Sequence, residues 1–194
     1  LIDWLAHYRF SGDIRGYREG ELYFPGSPLL VIEGSFAEAV VLETLGSAGI
    51  DELVDVRRLP GSRRSPQFDA EEMTGWLGEA GIGYRRLAEL TGRRPKQRDV
   101  DPELNAGWQN TSFRNYADHT LGAEYEAGIA QLTALAAEHH VVVMCGEPMP
   151  WRCHRLLISN TLVARGWEVV HLRAGATPSE HELGAWGARP VVRE

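Results

Sequence analysis

The stretch Val141-Val-Val-Met-Cys-Gly-Glu-Pro-Met-Pro-Trp-Arg-Cys-His-Arg155 decides how we expect this chain to fold. It begins with a short apolar, β-branched run, which is typical of a buried strand. A Gly and two Pro then indicate a sharp turn, behind which a helical pattern begins. A strand, a tight turn and a helix start form the place where α/β proteins put their chemistry. Both cysteines of the chain lie here, beside Glu147, Arg152 and His154, so we place the candidate site in this stretch.

The neighbouring sequence predicts a single three-layer α/β domain over residues 29–172, with a mainly parallel sheet and flanking helices. Residues 29–32 and 53–56 are strand-like apolar runs that an amphipathic helix joins, which predicts a βαβ unit. Further helices are predicted over residues 69–80, 108–119, 123–137 and 153–165, and further strands over residues 84–87 and 168–172.

The two ends of the chain are predicted to lie outside this domain. In residues 1–28, Glu21-Leu-Tyr-Phe24 followed by Gly26-Ser27 is similar to a protease-cleavable linker of recombinant proteins. The segment is therefore either such an addition or a natural appendage that packs its aromatics on the domain. Residues 173–194 are rich in Gly, Pro and Ala, and we expect them to be irregular.

Composition restricts the kinds of partner. The net charge of -7 argues against a protein that coats nucleic acid with its whole surface, although basic residues are concentrated between Arg57 and Arg98. Two cysteines in 194 residues are typical of thiols in a reducing compartment, so we expect a cytoplasmic protein. No apolar run approaches the roughly 20 residues that span a bilayer, and no membrane partner is expected.

A basic loop follows the second predicted strand. Asp55 lies inside that strand, where a carboxylate is costly to bury without a partner. It is followed by Arg57, Arg63 and Arg64. Asp55 either pairs with one of these arginines to hold the loop, or orients a guanidinium in an anion clamp. We favour the clamp, because guanidinium groups bind phosphate and other oxyanions bidentately.

Residues 91–108 form a long irregular connection, a feature that is usually functional or mobile. Its Arg93 and Arg94 either close over a ligand that the first arginine loop holds, or belong to a solvated flap. Tyr116 and Trp151 are candidate stacking faces for a base or sugar. The simpler interpretation is that such aromatics pack inward.

Cys153 is the candidate nucleophile. A helix N-terminus favours a thiolate, and the flanking Arg152, His154 and Arg155 would lower the pKa of this thiol. Glu147 or His154 could then move protons. The spacing of a cysteine phosphatase, with an Arg five residues after the Cys, is absent.

A metal centre built from Cys145, Cys153 and His154 with Glu147 is a second hypothesis. Sequence neighbours such as Cys153 and His154 seldom point at one ion, and no paired short spacing of the zinc type is present. We therefore predict no metal and no cofactor. Cys145 is interpreted as a small buried residue at a strand end, and a disulfide between the two cysteines is equally unforced.

Seven short motifs occur in order along the chain: Asp55-Val-Arg, Ser62-Arg-Arg-Ser-Pro-Gln-Phe68, Gly81-Ile-Gly-Tyr84, Leu90-Thr-Gly-Arg-Arg94, Phe113-Arg-Asn-Tyr-Ala-Asp118, Met144-Cys-Gly-Glu147 and Trp151-Arg-Cys-His-Arg155. Together they resemble the domain of unknown function family 488. The resemblance implies a compact α/β domain with a parallel sheet and an active site of unknown reaction. Members carry Thr-Ile-Gly-His-Ser after the first strand, whereas this chain has Val31-Ile-Glu-Gly-Ser35. The family histidine is thus missing at Gly34, or replaced by Glu33.

The arginine loop and Arg155 would converge on one crevice if residues 53–56 and 141–144 are neighbouring strands. We predict an enzyme, a hydrolase or transferase, that acts there on a small phosphate-bearing or nucleoside-type substrate. A non-catalytic module that binds a nucleotide or nucleic acid is the alternative. The predicted catalytic residues are Asp55, Glu147, Cys153 and His154, and the predicted substrate-binding residues are Arg57, Arg63, Arg64, Arg93, Arg94, Tyr116, Trp151 and Arg155.

Overall fold

The computed structural model describes residues 13–16, 30–33, 36–61, 65–147 and 149–189. No helix within these ranges has both the length and the apolar character needed to cross a membrane. The helices are α1 (Phe36–Ser47), α2 (Ala70–Glu79), α3 (Thr111–His119), α4 (Ala123–Ala136) and α5 (Arg155–Ala164); the strands are β1 (Asp13–Gly16), β2 (Leu30–Glu33), β3 (Glu52–Asp55), β4 (Gly83–Arg86), β5 (Val141–Met144), β6 (Val170–His171) and β7 (Ser179–Glu180).

A three-stranded parallel sheet in the order β4-β3-β5 forms the centre of the domain. Asp55 at the end of β3 lies opposite Arg86 of β4 and Met144 of β5. The backbone N–H of Val56 donates to the Met144 carbonyl at 3.0 Å, so the carboxyl ends of β3 and β5 lie side by side. The structure thus meets the condition that the two strands are neighbours in the sheet.

The sheet is covered on both faces, which makes the domain a three-layer α/β structure, as predicted. Side chains alternate along a strand. Leu53 therefore packs toward the side of α1 and α2, with Leu45, Met73 and Leu77. Val54 and Val56 pack on the opposite side, against residues of α3, α4 and α5 that include Tyr116, Ile129 and Ile158.

Two predicted strands pair differently from the prediction. β2 covers most of residues 29–32, but in the described part of the chain it pairs antiparallel with β1 and not with β3. β6 is shorter than residues 168–172, and it pairs antiparallel with β7. An apolar run indicates a strand but not its partner. An antiparallel partner needs only a short connection, whereas a parallel one needs a crossover.

The C-terminal segment is described to residue 189, and apart from β7 it contains only one short helical turn, over Ala185–Gly187. The side chain of Asn160 in α5 ties it down: its Nδ2 donates to the carbonyl of Ala188 at 2.9 Å, and its Oδ1 accepts from the backbone N–H of Gly184 at 3.1 Å. Most of residues 1–28 lies outside the described residues, as does Gly34.

Candidate functional site

The carboxyl end of β3 holds a closed ion pair. Asp55 is completely buried, and its carboxylate accepts hydrogen bonds from Arg57 Nε at 3.0 Å and Arg57 Nη2 at 2.6 Å. The hydroxyl of Tyr84 donates to the same carboxylate at 2.7 Å. Burial, followed by the hydrogen bond and charge of Asp55, raises the pKa of Tyr84 to about 12.

The remaining groups of Arg57 also bind inside the protein. Its Nη1 donates to the carbonyl of Phe68 at 2.8 Å, and its Nη2 lies 3.4 Å from the sulfur of Met73. Burial lowers the pKa of Arg57, but the hydrogen bonds and charge of Asp55 raise it above its ordinary value. The geometry therefore agrees with the structural interpretation of Asp55 and Arg57, as a pair that holds the loop.

Arg94 is likewise engaged in the interior. Its guanidinium donates to the carbonyls of Ala88 at 2.6 Å and Glu89 at 2.8 Å, and to Glu124 Oε1 at 2.7 Å. Arg93 is exposed, with a backbone φ of 55°. Arg94 thus fastens its loop to α4, and the predicted ligand contacts of Arg63 and Arg64 lie outside the described residues.

The carboxyl end of β5 gathers three potential metal ligands or reactive groups. Cys145 follows β5, and a short turn over Pro150–Arg152 brings Cys153 and His154 back to the start of α5. His154 Nδ1 lies 3.9 Å from Cys145 Sγ and 3.6 Å from Cys153 Sγ. All three atoms lie within 4.8 Å of one another. We refer to Cys145, Cys153 and His154 as the thiol–imidazole cluster.

The two thiols have opposite acidities. A hydrogen bond from Cys145, followed by the charge and hydrogen bonds of Arg155, lowers the pKa of Cys153 to about 6 despite its burial. The same contact with Cys153, together with burial, raises the pKa of Cys145 to about 12. Both are free cysteines, and Cys153 is buried. Cys145 packs against the core as expected, but its sulfur also joins the cluster.

The imidazole of His154 is held by its neighbours. The ring of Tyr116 lies 4.7 Å away between centroids, and a Cβ added at Gly92 would come within 2.6 Å of His154 Nδ1. Tyr116 is 1% exposed and donates to the carbonyl of Leu90 at 2.7 Å, so it supports the ring and presents no open face to a ligand. The role of Gly92 has no signal in the local sequence, although Gly92 lies within the motif Leu90-Thr-Gly-Arg-Arg94.

One nitrogen of this ring lacks a partner. His154 Nε2 is buried and makes no hydrogen bond within the described part of the chain. An unsatisfied buried polar group costs about 1–3 kcal/mol. Such a cost in a native structure calls for an explanation, and a functional site is a common one.

Arg155 connects the cluster to the surface. Its Nε donates to Cys153 Sγ at 3.4 Å, and its Nη2 donates to the carbonyl of Glu147. Arg155 also lines a mainly apolar cavity of about 180 Å³ between α1 and β5. The carboxylate of Glu147 is exposed and, among the described residues, has no hydrogen-bond or ion-pair partner.

Three aromatic rings lie together at the β5–α5 turn and the C-terminal segment. Trp151 and Trp186 are 42% and 51% exposed, and their rings lie 5.3 Å apart. His171 lies 5.5 Å from Trp186. Burial, and after it the charges of His181 and Arg155, lowers the pKa of His171 to about 4. We call Trp151, His171 and Trp186 the aromatic wall. Of these three residues, the sequence predicts only Trp151 as a stacking face. The composition of the C-terminal segment gives no sign that Trp186 lies beside Trp151.

The two strand ends face opposite sides of the sheet. Asp55, Arg57 and Tyr84 lie on the face of Leu53, toward α2, whereas Cys145 lies on the face of Val54 and Val56. The reason is the period of two along a strand: Asp55 pairs with Met144, so the next residue, Cys145, points the other way. The sequence predicts one crevice that contains Asp55, Arg57 and the cysteine turn. In the structure, Asp55 and Arg57 lie on the other face of the sheet from Cys145, so they do not share a crevice with the thiol–imidazole cluster.

Comparisons with known proteins identify a family for the chain. The family model described as "Domain of unknown function DUF488" matches residues 37–162. Nicotinate phosphoribosyltransferase pncB1 of Mycobacterium tuberculosis, from strains CDC 1551 / Oshkosh and ATCC 25618 / H37Rv, is 66% identical over 44 residues. This match covers 23% of the chain but only 10% of the length of those relatives. No solved structure matches the chain.

Proposed function

The chain belongs to the family DUF488, of unknown function, and from the geometry of its β5–α5 turn we propose that it is an enzyme. We propose a hydrolase or transferase that acts on a small phosphate-bearing or nucleoside-type substrate. The carrying observation is the position of Arg155, which touches Cys153 Sγ and the Glu147 carbonyl between the thiol–imidazole cluster and the surface. The match to a tenth of a phosphoribosyltransferase is too short to bring that activity to this chain.

Charge supports an anionic substrate at this place. Arg155 is half-buried at the first position of α5, where the helix dipole also favours an anion. Arg57 and Arg94 have their guanidinium groups bonded inside the protein, so they stay out of the proposal. Among the predicted substrate-binding arginines that the structure describes, Arg155 is the one whose guanidinium contacts a reactive side chain, Cys153.

The aromatic wall supports a nucleoside-type substrate. Trp151 and Trp186 present flat, half-exposed faces beside the turn that carries Arg155. Stacking of a base on an aromatic side chain contributes about 1–3 kcal/mol. A nucleotide would place its base on the wall and its phosphate at Arg155. The cluster, with Glu147 at its rim, would then supply the reacting groups.

Binding of AMP and of ribose 5-phosphate, followed by tryptophan fluorescence, tests the substrate class. We expect AMP to bind more tightly, and Trp186→Ala to weaken AMP by about 10-fold or more, in line with base stacking. Leu183→Ala, an exposed apolar change in the same loop, is the matched control. Equal affinities for the two ligands, unaffected by Trp186→Ala, would contradict a nucleoside substrate.

Turnover of a panel of phosphate esters and nucleotides tests the enzyme itself. Cys153→Ser and Glu147→Gln should lower turnover without abolishing folding, while Arg98→Gln, an exposed change, should not. Unchanged turnover in both site variants would remove the site assignment. Binding of oligonucleotides that falls steeply with salt, without turnover of any substrate, would instead favour the nucleic-acid binding module.

A further inference from the structure

We propose that the thiol–imidazole cluster is a metal site and that Cys145, Cys153 and His154 hold a thiophilic divalent cation, Zn²⁺ in the first place. The inference deepens the proposed function, because the metal would be the cofactor of the active site proposed at the same β5–α5 turn. Two sulfurs and one imidazole nitrogen are the donors that zinc prefers. Metal binding and turnover are measured separately, so either can fail alone.

The distances within the cluster match a tetrahedral site. With Zn–S near 2.3 Å and Zn–N near 2.0–2.1 Å, tetrahedral angles place a sulfur and a nitrogen about 3.6 Å apart. The observed separations between His154 Nδ1 and the sulfurs of Cys153 and Cys145 are 3.6 Å and 3.9 Å. The two sulfurs lie no more than 4.8 Å apart, against about 3.8 Å in a tetrahedral site. One ion can therefore touch all three atoms once the sulfurs approach each other by up to about 1 Å.

The sequence objection to this site does not hold in the folded chain. Neighbouring residues seldom point at one ion, yet Cys153 and His154 occupy the turn that starts α5, and their ligand atoms converge with Cys145 Sγ. Glu147, included in the sequence hypothesis, is not a member of the converging group. The donor set is thus two thiols and one imidazole.

The imidazole is oriented before any ion arrives. Tyr116 packs on the ring of His154, and Gly92 leaves no room for the ring to move toward its backbone. Nδ1 faces both sulfurs while Nε2 is buried without a partner among the described residues. A strong bond at Nδ1 offsets the cost of leaving Nε2 unpaired. The ring is therefore held where it serves a ligand to the cluster.

Arg155 completes the surroundings of the ion. Its Nε–H donates to Cys153 Sγ, the kind of outer hydrogen bond that orients a metal ligand. Two thiolates and one neutral imidazole around Zn²⁺ leave no net charge. A site with three protein ligands leaves the fourth position to water or substrate, as in catalytic zinc sites. This is the arrangement that hydrolysis of the proposed substrate would use.

Metal analysis of the purified, tag-free protein is the direct test. We expect one zinc per chain by inductively coupled plasma mass spectrometry after zinc is supplied and excess is removed. Cobalt substitution should give the sulfur-to-cobalt charge-transfer absorption and the visible bands of a tetrahedral site. Cys145→Ser, Cys153→Ser and His154→Gln should each lose metal affinity by about 100-fold or more, exceeding the 10–100-fold typical of outer contacts. His139→Gln, at an exposed histidine, is the matched control.

The outcomes separate this inference from the proposed function. Wild-type protein that takes up no zinc, or cobalt spectra without charge transfer, would overturn the metal site even if Cys153→Ser lowers turnover. Tight zinc binding without turnover of any substrate would support the site and contradict the enzyme. If a ligand variant does not fold, the cobalt spectrum of the wild-type protein still decides, because only sulfur ligation gives the charge-transfer band.

Discussion

The ends of β3 and β5 lie side by side, carry charged or reactive residues, and have opposite character. At β3, the buried carboxylate of Asp55 is paired with the partly buried Arg57 and also accepts a hydrogen bond from Tyr84. At β5, Cys153 and His154 converge with Cys145, while one imidazole nitrogen has no hydrogen-bond partner among the described residues. We call the end of β3 the closed end, because its polar groups are hydrogen-bonded to one another. We call the end of β5 the open end, because His154 Nε2 has no hydrogen-bond partner among the described residues.

The difference shows how to recognise a reactive site at a strand end. Polar residues after a buried strand are ambiguous, because they serve either to hold a loop or to bind a ligand. Satisfied partners on every side, as at Arg57, indicate the first use. A buried nitrogen without a partner among the described residues, next to two converging thiols, indicates the second, as at His154.

The largest expected effect tests the closed end. Asp55→Asn leaves the guanidinium of Arg57 buried without its counter-charge, and breaking such a pair costs about 3–5 kcal/mol. Urea denaturation measures the loss. Glu126→Gln removes the exposed pair with Arg165 and should cost less than about 1 kcal/mol. A loss at Asp55 as small as that at Glu126 would mean that the closed end does not stabilise the fold.

A smaller effect tests the open end. Gly92→Ala places a Cβ within 2.6 Å of the His154 ring, so the ring or the loop must move, at a cost of about 1–3 kcal/mol. We expect lower stability together with weaker zinc binding. Gly75→Ala in α2, where nothing lies within 4 Å of the new Cβ, is the control and should not destabilise the protein. Zinc affinity unchanged by Gly92→Ala would separate the loop from the cluster.

The smallest effect is the change in the pKa of His171, in the aromatic wall, when Arg155 is replaced. The pKa of His171 is lowered from 6.5 to about 4 in the folded protein. The neutral ring is thus favoured by folding, so the stability from this group is present above pH 6.5 and is lost as pH falls toward 4. Histidine NMR titration measures the pKa directly. Because Arg155 contributes to the shift, Arg155→Gln should raise the pKa of His171.

The control for this titration is again His139→Gln, which removes an exposed imidazole away from the wall. His171→Gln should flatten the dependence of the melting temperature on pH between about pH 4 and 6.5, whereas His139→Gln should leave this change in place. If Arg155→Gln leaves the pKa of His171 unchanged, the aromatic wall has no electrostatic interaction with Arg155.

Much of the architecture could be predicted from local pattern. Apolar periodicity and glycine stops predict the helices over residues 70–79 and 123–136. Short apolar runs predict β3, which ends at Asp55, and β5, which precedes Cys145. The pairing of β2 and of β6 could not be predicted, because strand partners are set by packing across the whole chain. The path of residues 179–188 depended on buried bonds of Asn160, which no local signal announces.

By itself the sequence determined the class of fold and the turn that carries Cys153, His154 and Arg155, since both depend on residues close together in the chain. Only the tertiary structure decided which polar residues remain available. The register of β3 with β5 sends Asp55 to one face and Cys145 to the other. Gly92 and Tyr116, distant in sequence, then fix His154 toward the two sulfurs. Such choices depend on long-range packing, in which a shift of one residue along a strand reverses the face that a side chain occupies.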